Sequence, residues 1–308
     1  MKNILVTGAG GFVGRNISEY LGTEKEKYRV FAARRTELDL LDEEAVAAFV
    51  AERKIDVVIH CAGRGGTRKT NYDERDVVSG NLRMFFNLVR ALPPSARMVS
   101  MGSGAEYDKR RCEPRISEER FDAYVPADGY GYSKYVISKY IEKADSIVCL
   151  RIFGLYGKYE DYTYRFISNA IVKNLLGAPI LINQNMLLDY LYMPDFCRIV
   201  EGFIGKGWKH KHYNVTPSRS SDLAGLAGLV NAVSGKPVEI KVLNPGMNAE
   251  YSGSNARLVS EMPGFKFTGA ESAIAEMYRY YSAELPALDL ETVRKDPYLK
   301  FCPTKDKA

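Results

Sequence analysis

A short apolar run that opens onto three glycines constrains this chain more than any other stretch. Ile4, Leu5 and Val6 read as a buried parallel strand, and glycines follow at positions 8, 11 and 14. From Phe12 to Gly22 the pattern is helical, with Phe12, Val13, Ile17 and Leu21 near one face. A strand, a tight glycine turn and a helix start form a site for a pyrophosphate. Glycine lets backbone approach the phosphates, while free N–H groups and the positive helix end attract the anion. Three glycines alone also fit a purely structural turn. Their position directly after a strand favours a dinucleotide against Gly8, Gly11, Phe12, Val13 and Gly14.

The pattern repeats downstream. Arg29–Ala33, Ile55–Ala62, Arg97–Met101 and Ser146–Phe153 read as strands. Helical segments near 43–53 (Asp42 as N-cap), 73–92 and 129–143 separate them. Such alternation predicts an α/β fold: a doubly wound parallel sheet of Rossmann type. Residues 104–129 read as a long polar loop at the ligand end of the sheet. Beyond Gly157 the alternation fades. A smaller C-terminal α/β substrate lobe is expected over 161–308, beside a dinucleotide domain over 1–160 to which 186–206 returns. In that later part, Leu187–Tyr192 reads as one strand, His212–Val215 as a strand of the smaller region, and the tail from Asp296 as loose.

The end of the second strand lies beside the adenosine ribose in such a fold. An acid there suits the 2′-hydroxyl of NAD, whereas arginine suits the 2′-phosphate of NADP. Arg34 and Arg35 stand there with no acid at that edge, so NADP(H) is favoured over NAD(H).

The 308 residues carry a net charge of +5, but lysine and arginine are scattered, which argues against a nucleic-acid surface. No apolar run approaches the ~20 residues of a membrane span. Five cysteines, odd in number and without a C-x-x-C pair, suit reduced thiols and a cytoplasmic setting. His60, His210 and His212 are the only histidines and lack nearby acidic ligands, so no metal site is expected.

Tyr130 precedes Lys134 by four residues, which on a helix sets both on one face. A neighbouring ammonium favours a phenolate, and a hydride acceptor's developing alkoxide needs a proton donor of that kind. Tyr135 and Lys139 repeat the spacing, so spacing alone does not choose between them. Ser103 follows a strand, where its hydroxyl could meet a substrate oxygen or merely serve a turn.

Together these motifs resemble an extended short-chain dehydrogenase/reductase of the nucleotide-sugar epimerase/dehydratase group, from residue 2 to about 235. TGAGGFVG at 7–14 is similar to the family's TGxxGxxG, Asp56–Ala62 to its D-x-x-x-H-x-A, and Asn81 to its structural asparagine. YGYSK matches Y-x-x-x-K and selects Tyr130 and Lys134. RIFGLYG at 151–157 resembles R-x-x-N-V-Y-G, with Gly154 for asparagine. The resemblance implies that Tyr130 passes a proton to the sugar oxygen, that Lys134 also holds the nicotinamide ribose, and that Ser103 bonds the same oxygen. It places Asp39 and Leu40 at the adenine, and Ala62 and Gly63 along the phosphates and ribose. It also implies a homodimer through a helix pair.

Within the family, 4,6-dehydratases resemble T-D-E-V-Y-G after the catalytic threonine, and this chain has Ser103-Gly104-Ala105-Glu106-Tyr107. GDP-fucose synthases carry a cysteine where Ala105 stands. ARRTELDLLD and Gly63-Arg64-Gly65-Gly66 nevertheless resemble stretches of 4-keto reductases. The expected activity is NADPH-dependent reduction of a 4-keto nucleotide sugar. The alternatives are 4-epimerisation with bound NAD(P), or a non-catalytic NADP-binding sensor or scaffold. Leu188 and Asn244 replace two arginines that bind the diphosphate in the family, so either Arg165, Lys173 or Arg257 meets the diphosphate or the substrate is not a nucleotide sugar.

Overall fold

The computed structural model describes residues 1–65 and 73–302, so Gly66 lies outside the described residues. Six parallel strands form the main sheet: β1 (Lys2–Thr7), β2 (Tyr28–Ala33), β3 (Val57–His60), β4 (Arg97–Ser103), β5 (Ile147–Ile152) and, late in the chain, His212–Val215. Helices α1 (Phe12–Thr23), α2 (Glu43–Glu52), α3 (Glu74–Ala91) and α4 (Gly129–Ile141) connect the first five strands. The order runs His212–Val215, β5, β4, β3, β1, β2. The direction of winding therefore reverses beside β1, where ligands of doubly wound sheets bind.

Both faces of β1 are buried because neighbouring side chains point to opposite sides. Ile4 and Val6 join Ile17 and Leu21 of α1 on one face; Leu5 joins Val46 of α2, Phe85 of α3 and Ile137 of α4 on the other. The first face is completed by Phe196, Val200 and Phe203, which belong to a later helix spanning Met193–Lys206. Asp42 caps α2 by accepting the Ala45 N–H at 3.0 Å.

The remaining elements are α5 (Phe166–Leu175), β6 (Ile180–Asn185), α6 (the helix Met193–Lys206), β7 (His212–Val215), α7 (Leu223–Ser234), β8 (Ile240–Met247), α8 (Ala256–Glu261) and α9 (Ala270–Glu284). A separate core of Ile171, Ile182, Val230, Ile274 and Met277 holds α5, β6, α7 and α9 together. Among the described residues, no helix is long and apolar enough to cross a membrane.

Three expectations need correction. β7 does not complete the smaller region; it pairs in parallel with β5, His212 opposite Cys149, and closes the edge of the main sheet. Leu187–Tyr192 is two strand fragments, Leu187–Leu188 against Ser221–Asp222 and Leu191–Tyr192 against Leu155–Tyr156. Between them Asp189 turns its carboxylate to the Gly253 N–H (2.8 Å) and the Ser220 hydroxyl (2.7 Å), which breaks the run. The tail is docked as far as Cys302. Asp296 pairs with buried Lys173 at 2.6 Å, and the Tyr298 hydroxyl donates to the Leu181 carbonyl.

Glu160 sits in the loop before α5, buried, with the Ser168 hydroxyl donating to it. Burial pushes its carboxyl up to about 8, against the opposing pull of Ser168 and Arg165. An unfolded glutamate titrates near ~4.3. The stability tied to this proton is therefore complete below ~4.3 and is lost as pH rises through about 8. Glu160→Gln is expected to remove that loss, gaining on the order of a few kcal/mol over the parent at pH 9 compared with pH 5. Urea unfolding at the two pH values checks this; an unchanged difference between parent and variant would refute it.

Candidate active site

The glycine turn is built as its spacing requires. Gly8 has φ +64°, and an added Cβ there would come within 2.8 Å of the Ala62 nitrogen. At Gly14 an added Cβ would strike the Gly8 carbonyl oxygen at 2.4 Å, so only glycine lets α1 start this close to β1. Gly11 caps the helix, and its N–H donates to the Gly8 carbonyl at 2.9 Å. Phe12 and Val13 form the first turn of α1 and are partly buried against the sheet core. The result is a tight backbone cradle at a helix N-terminus, which suits a pyrophosphate.

The far wall of this cradle comes from β2. Arg34 lies across the turn, its Cγ 3.8 Å from a Cβ placed on Gly10, and Arg35 pairs with Asp39 at 3.6 Å in an exposed contact. The expectation of no acid at this edge needs correction. The chain curls back on the Arg34 carbonyl, and the Glu37 carboxylate accepts the Arg34 N–H at 2.8 Å. Asp39 also accepts the Leu41 N–H at 3.0 Å, while Leu40 is buried and its carbonyl takes a bond from Asn87 at 2.9 Å.

At the end of β3, Thr7 accepts the Ala62 N–H (3.3 Å) and bonds His60 Nδ1 (3.0 Å). Burial, then the nearby Lys134 charge, pulls His60 down to about 3, so it is a neutral core group. Gly63 opens onto Lys134, whose Nζ lies 3.9 Å from a Cβ placed there. Asn81 of α3 ties this loop to α4. Its amide accepts the Arg64 N–H (2.7 Å) and donates to the Arg64 carbonyl (3.1 Å) and the Ser133 hydroxyl (3.0 Å).

Helix α4 is set against β4 and the turn that follows it at three points. Gly131 lies on the Ala105 carbonyl, where an added Cβ would fall within 2.8 Å. Lys134 is buried and donates to the Met101 carbonyl at 2.7 Å, and the Ser138 hydroxyl donates to Glu106 at 2.6 Å. Tyr130 shares the Lys134 face, its ring 6.0 Å from the ammonium. Ser103, the last residue of β4, is buried, and its Oγ accepts the Ala105 N–H at 3.2 Å. The alternative pair points elsewhere: Tyr135 donates to Asp122, and Lys139 is shared between Asp122 (2.9 Å) and Glu142 (2.7 Å) near the surface.

The loop after β4 is not simply polar. Ala105, Glu106 and Tyr107 form a buried 3₁₀ turn, and Glu106 is committed to Ser103 N–H, Ser138 and Arg151. No acid or base from 105 or 106 is therefore free to reach a substrate. Of the three cations left to meet a diphosphate, Lys173 is paired with Asp296 and Arg257 with Glu119 at 2.7 Å. Arg165 stands at the N-terminal end of α5 with partners of its own.

Motif reading missed Tyr251. Its ring packs on Phe153 with centroids 5.0 Å apart, and its hydroxyl would be 2.6 Å from a Cβ on Gly104. It thus sits beside the turn that follows Ser103. Gly104 is the only local sign of it, because two aromatic groups crowd that position and exclude any side chain.

Over 191 residues the chain is 28% identical to the GDP-L-colitose synthase of Yersinia pseudotuberculosis, a match covering 57% of this chain and 60% of that protein. Its fold is similar to that of a GDP-L-fucose synthetase from Naegleria fowleri bound to NADP, with TM-score 0.81 and 19% identity over 92% of this chain and 94% of that one. It is similar too to a GDP-mannoheptose C4 reductase from Campylobacter jejuni with NADP bound, with TM-score 0.77 and 19% identity over 91% and 98%. At such identities these structures speak for the fold. The glycine cradle, the doubly wound sheet and the match of residues 4–216 to the NAD dependent epimerase/dehydratase family place this chain in that family.

Proposed function

We propose that the protein is an NADPH-dependent reductase of a 4-keto nucleotide sugar. When bound, NADPH would supply the hydride that adds to the carbonyl carbon. Tyr130 gives its phenolic proton to the carbonyl oxygen, which becomes the product alcohol, and Lys134 stands beside the phenolate left behind. Ser103 holds the same oxygen. The observation that carries this reading is the pairing of a complete proton-donor set with a locked Glu106 and an apolar Ala105. Carbonyl reduction needs one proton donor, whereas elimination of water needs a further acid and base.

Gly8, Gly11, Phe12, Val13 and Gly14 would hold the pyrophosphate, Ala62, Gly63 and Lys134 the nicotinamide side, and Asp39 and Leu40 the adenine. Arg34 and Arg35 favour a 2′-phosphate, and Glu37 is placed to compete for a 2′-hydroxyl. Arg165 is assigned to the substrate. Incubation with a 4-keto-6-deoxy sugar nucleotide is expected to oxidise one NADPH per sugar reduced. Interconversion of C4 epimers with no added cofactor would replace this reading with 4-epimerisation. NADPH is expected to bind more tightly than NADH, and Arg34→Ala to weaken NADPH roughly tenfold with NADH unaffected. Tighter NADH binding would assign the ribose edge to Glu37.

The outer faces of α3 and α4 suit a homodimer. Val78, Leu82 and Tyr132 line an apolar groove there, and Phe86 packs edge-on against partly exposed Tyr140. Sedimentation equilibrium is expected to give twice the chain mass, and Tyr132→Asp to give monomer; a parent that sediments as a monomer overturns the assignment.

A further inference from the structure

Phe153, the residue directly after β5, lies between two glycines that are far apart in the chain. Its Cδ1 and Cε1 would be 2.7 Å from a Cβ on Gly104, and its Cε2 and Cζ 2.6 Å from a Cβ on Gly253. Those separations are too short for carbon, so only glycine at both positions leaves room for the ring. Tyr107 stacks on the same ring with centroids 6.2 Å apart, and Tyr251 packs on it at 5.0 Å.

Both walls of this slot are fixed backbone. Gly104 opens the 3₁₀ turn that Ser103 caps, where Glu106 accepts the Ser103 N–H at 2.8 Å and Ser103 Oγ accepts the Ala105 N–H at 3.2 Å. Gly253 donates its N–H to Asp189 at 2.8 Å, accepts the Thr216 hydroxyl at 2.9 Å and is bridged to Ile116. In a close-packed interior, a ring pushed at one wall presses on the other.

We propose that Phe153 is a positioning residue of the reduction, its ring setting the spacing between the Ser103 turn and the segment 250–254. The place of the Ser103 hydroxyl thus depends on a segment bonded to the loop before α6 and to the turn at 115–116. The inference rests on the reductase reading for its kinetic consequence and on packing alone for the contact.

Gly253→Ala drives a methyl into the ring. It is expected to lower kcat roughly tenfold, with NADPH affinity within about twofold of the parent because the glycine cradle is untouched. Phe153→Leu removes Cε1, Cε2 and Cζ and is expected to lower kcat about threefold by loosening the turn. In the Phe153→Leu background Gly253→Ala should cost less than about twofold more, since the atoms it strikes are gone. In a Ser103→Ala background each substitution should alter kcat less than about twofold. An unchanged kcat in either single variant, equal Gly253→Ala losses with and without the ring, or full losses without Ser103 overturns the proposal. Thermal unfolding of the ring cycle needs no substrate. A Tm loss in Gly253→Ala that shrinks in the Phe153→Leu background supports the contact, and an equal loss overturns it. If Gly253→Ala does not fold, a folded double variant supports the contact and an unfolded one overturns it. Should the parent fail to reduce any 4-keto sugar nucleotide, the reductase reading falls, while unfolding still decides the contact.

Discussion

Tyr130→Phe is expected to lower kcat by about 10²–10⁴-fold while NADPH binding stays within twofold. The substitution deletes one oxygen and keeps the ring near the Lys134 ammonium and the Cβ that lies against Gly65. Binding persists because the cradle at Gly8 and Gly14, the Arg34 edge and the Lys134 bond to Met101 are untouched. Tyr135→Phe is the control. That hydroxyl meets Asp122 near the surface, so its loss should leave turnover nearly unchanged. Stopped-flow hydride transfer and fluorescence titration of NADPH separate the two quantities. Normal turnover in Tyr130→Phe with loss in Tyr135→Phe would move the proton donor to the other register.

Features that local sequence determines were legible without a structure. The parallel sheet was readable because each of β1, β3, β4 and β5 is an apolar run buried on both faces. That Tyr130 and Lys134 share a face was readable from a spacing of four on a helix, but Tyr135 and Lys139 have the same spacing, and only the YGYSK resemblance singled out the first pair. The capping role of Asp42 was readable because an aspartate directly before a helical run can accept a free first-turn N–H.

What sequence left hidden depends on how distant segments close on one another. His212–Val215 is a buried four-residue strand of mixed polarity whose partner β5 lies some sixty positions earlier, and nothing local says which sheet it joins. Glu37 reached the ribose edge because the backbone curls after Arg34, bringing a residue three positions on back to its N–H. Tyr251 comes from a stretch without hydrophobic period or motif, and the bridges that place it run to 188 and, through its neighbours, to 116. Lys173 and Arg257 looked available to a diphosphate in sequence, but Asp296 and Glu119 claim them in the fold.

Glu106→Gln is expected to destabilise the protein by about 3–5 kcal/mol, the largest stability effect at this site. Glu106 and Arg151 form an ion pair at 2.6 Å with both side chains fully buried. Glu106 also accepts the Ser103 N–H at 2.8 Å and the Ser138 hydroxyl at 2.6 Å. Arg151 lies 4.1 Å over the Phe121 ring and donates to the Tyr107 hydroxyl at 3.0 Å, which in turn donates to Asn214 at 2.7 Å. Neutralising the carboxylate leaves a guanidinium in the core that cannot shed its proton to escape the penalty. Replacing both partners, as in Glu106→Leu with Arg151→Met, should recover part of the loss, because burying two apolar groups avoids the unpaired charge. Urea unfolding of the parent and the two variants measures this; a loss under about 1 kcal/mol in Glu106→Gln would mean the pair is not the anchor of the turn. The same geometry leaves the carboxylate three residues after Ser103 with both oxygens engaged inside the fold. It is consumed in holding β4, β5 and α4 together, and that junction fixes Ser103 at the end of β4 and α4 with Lys134 beside Tyr130.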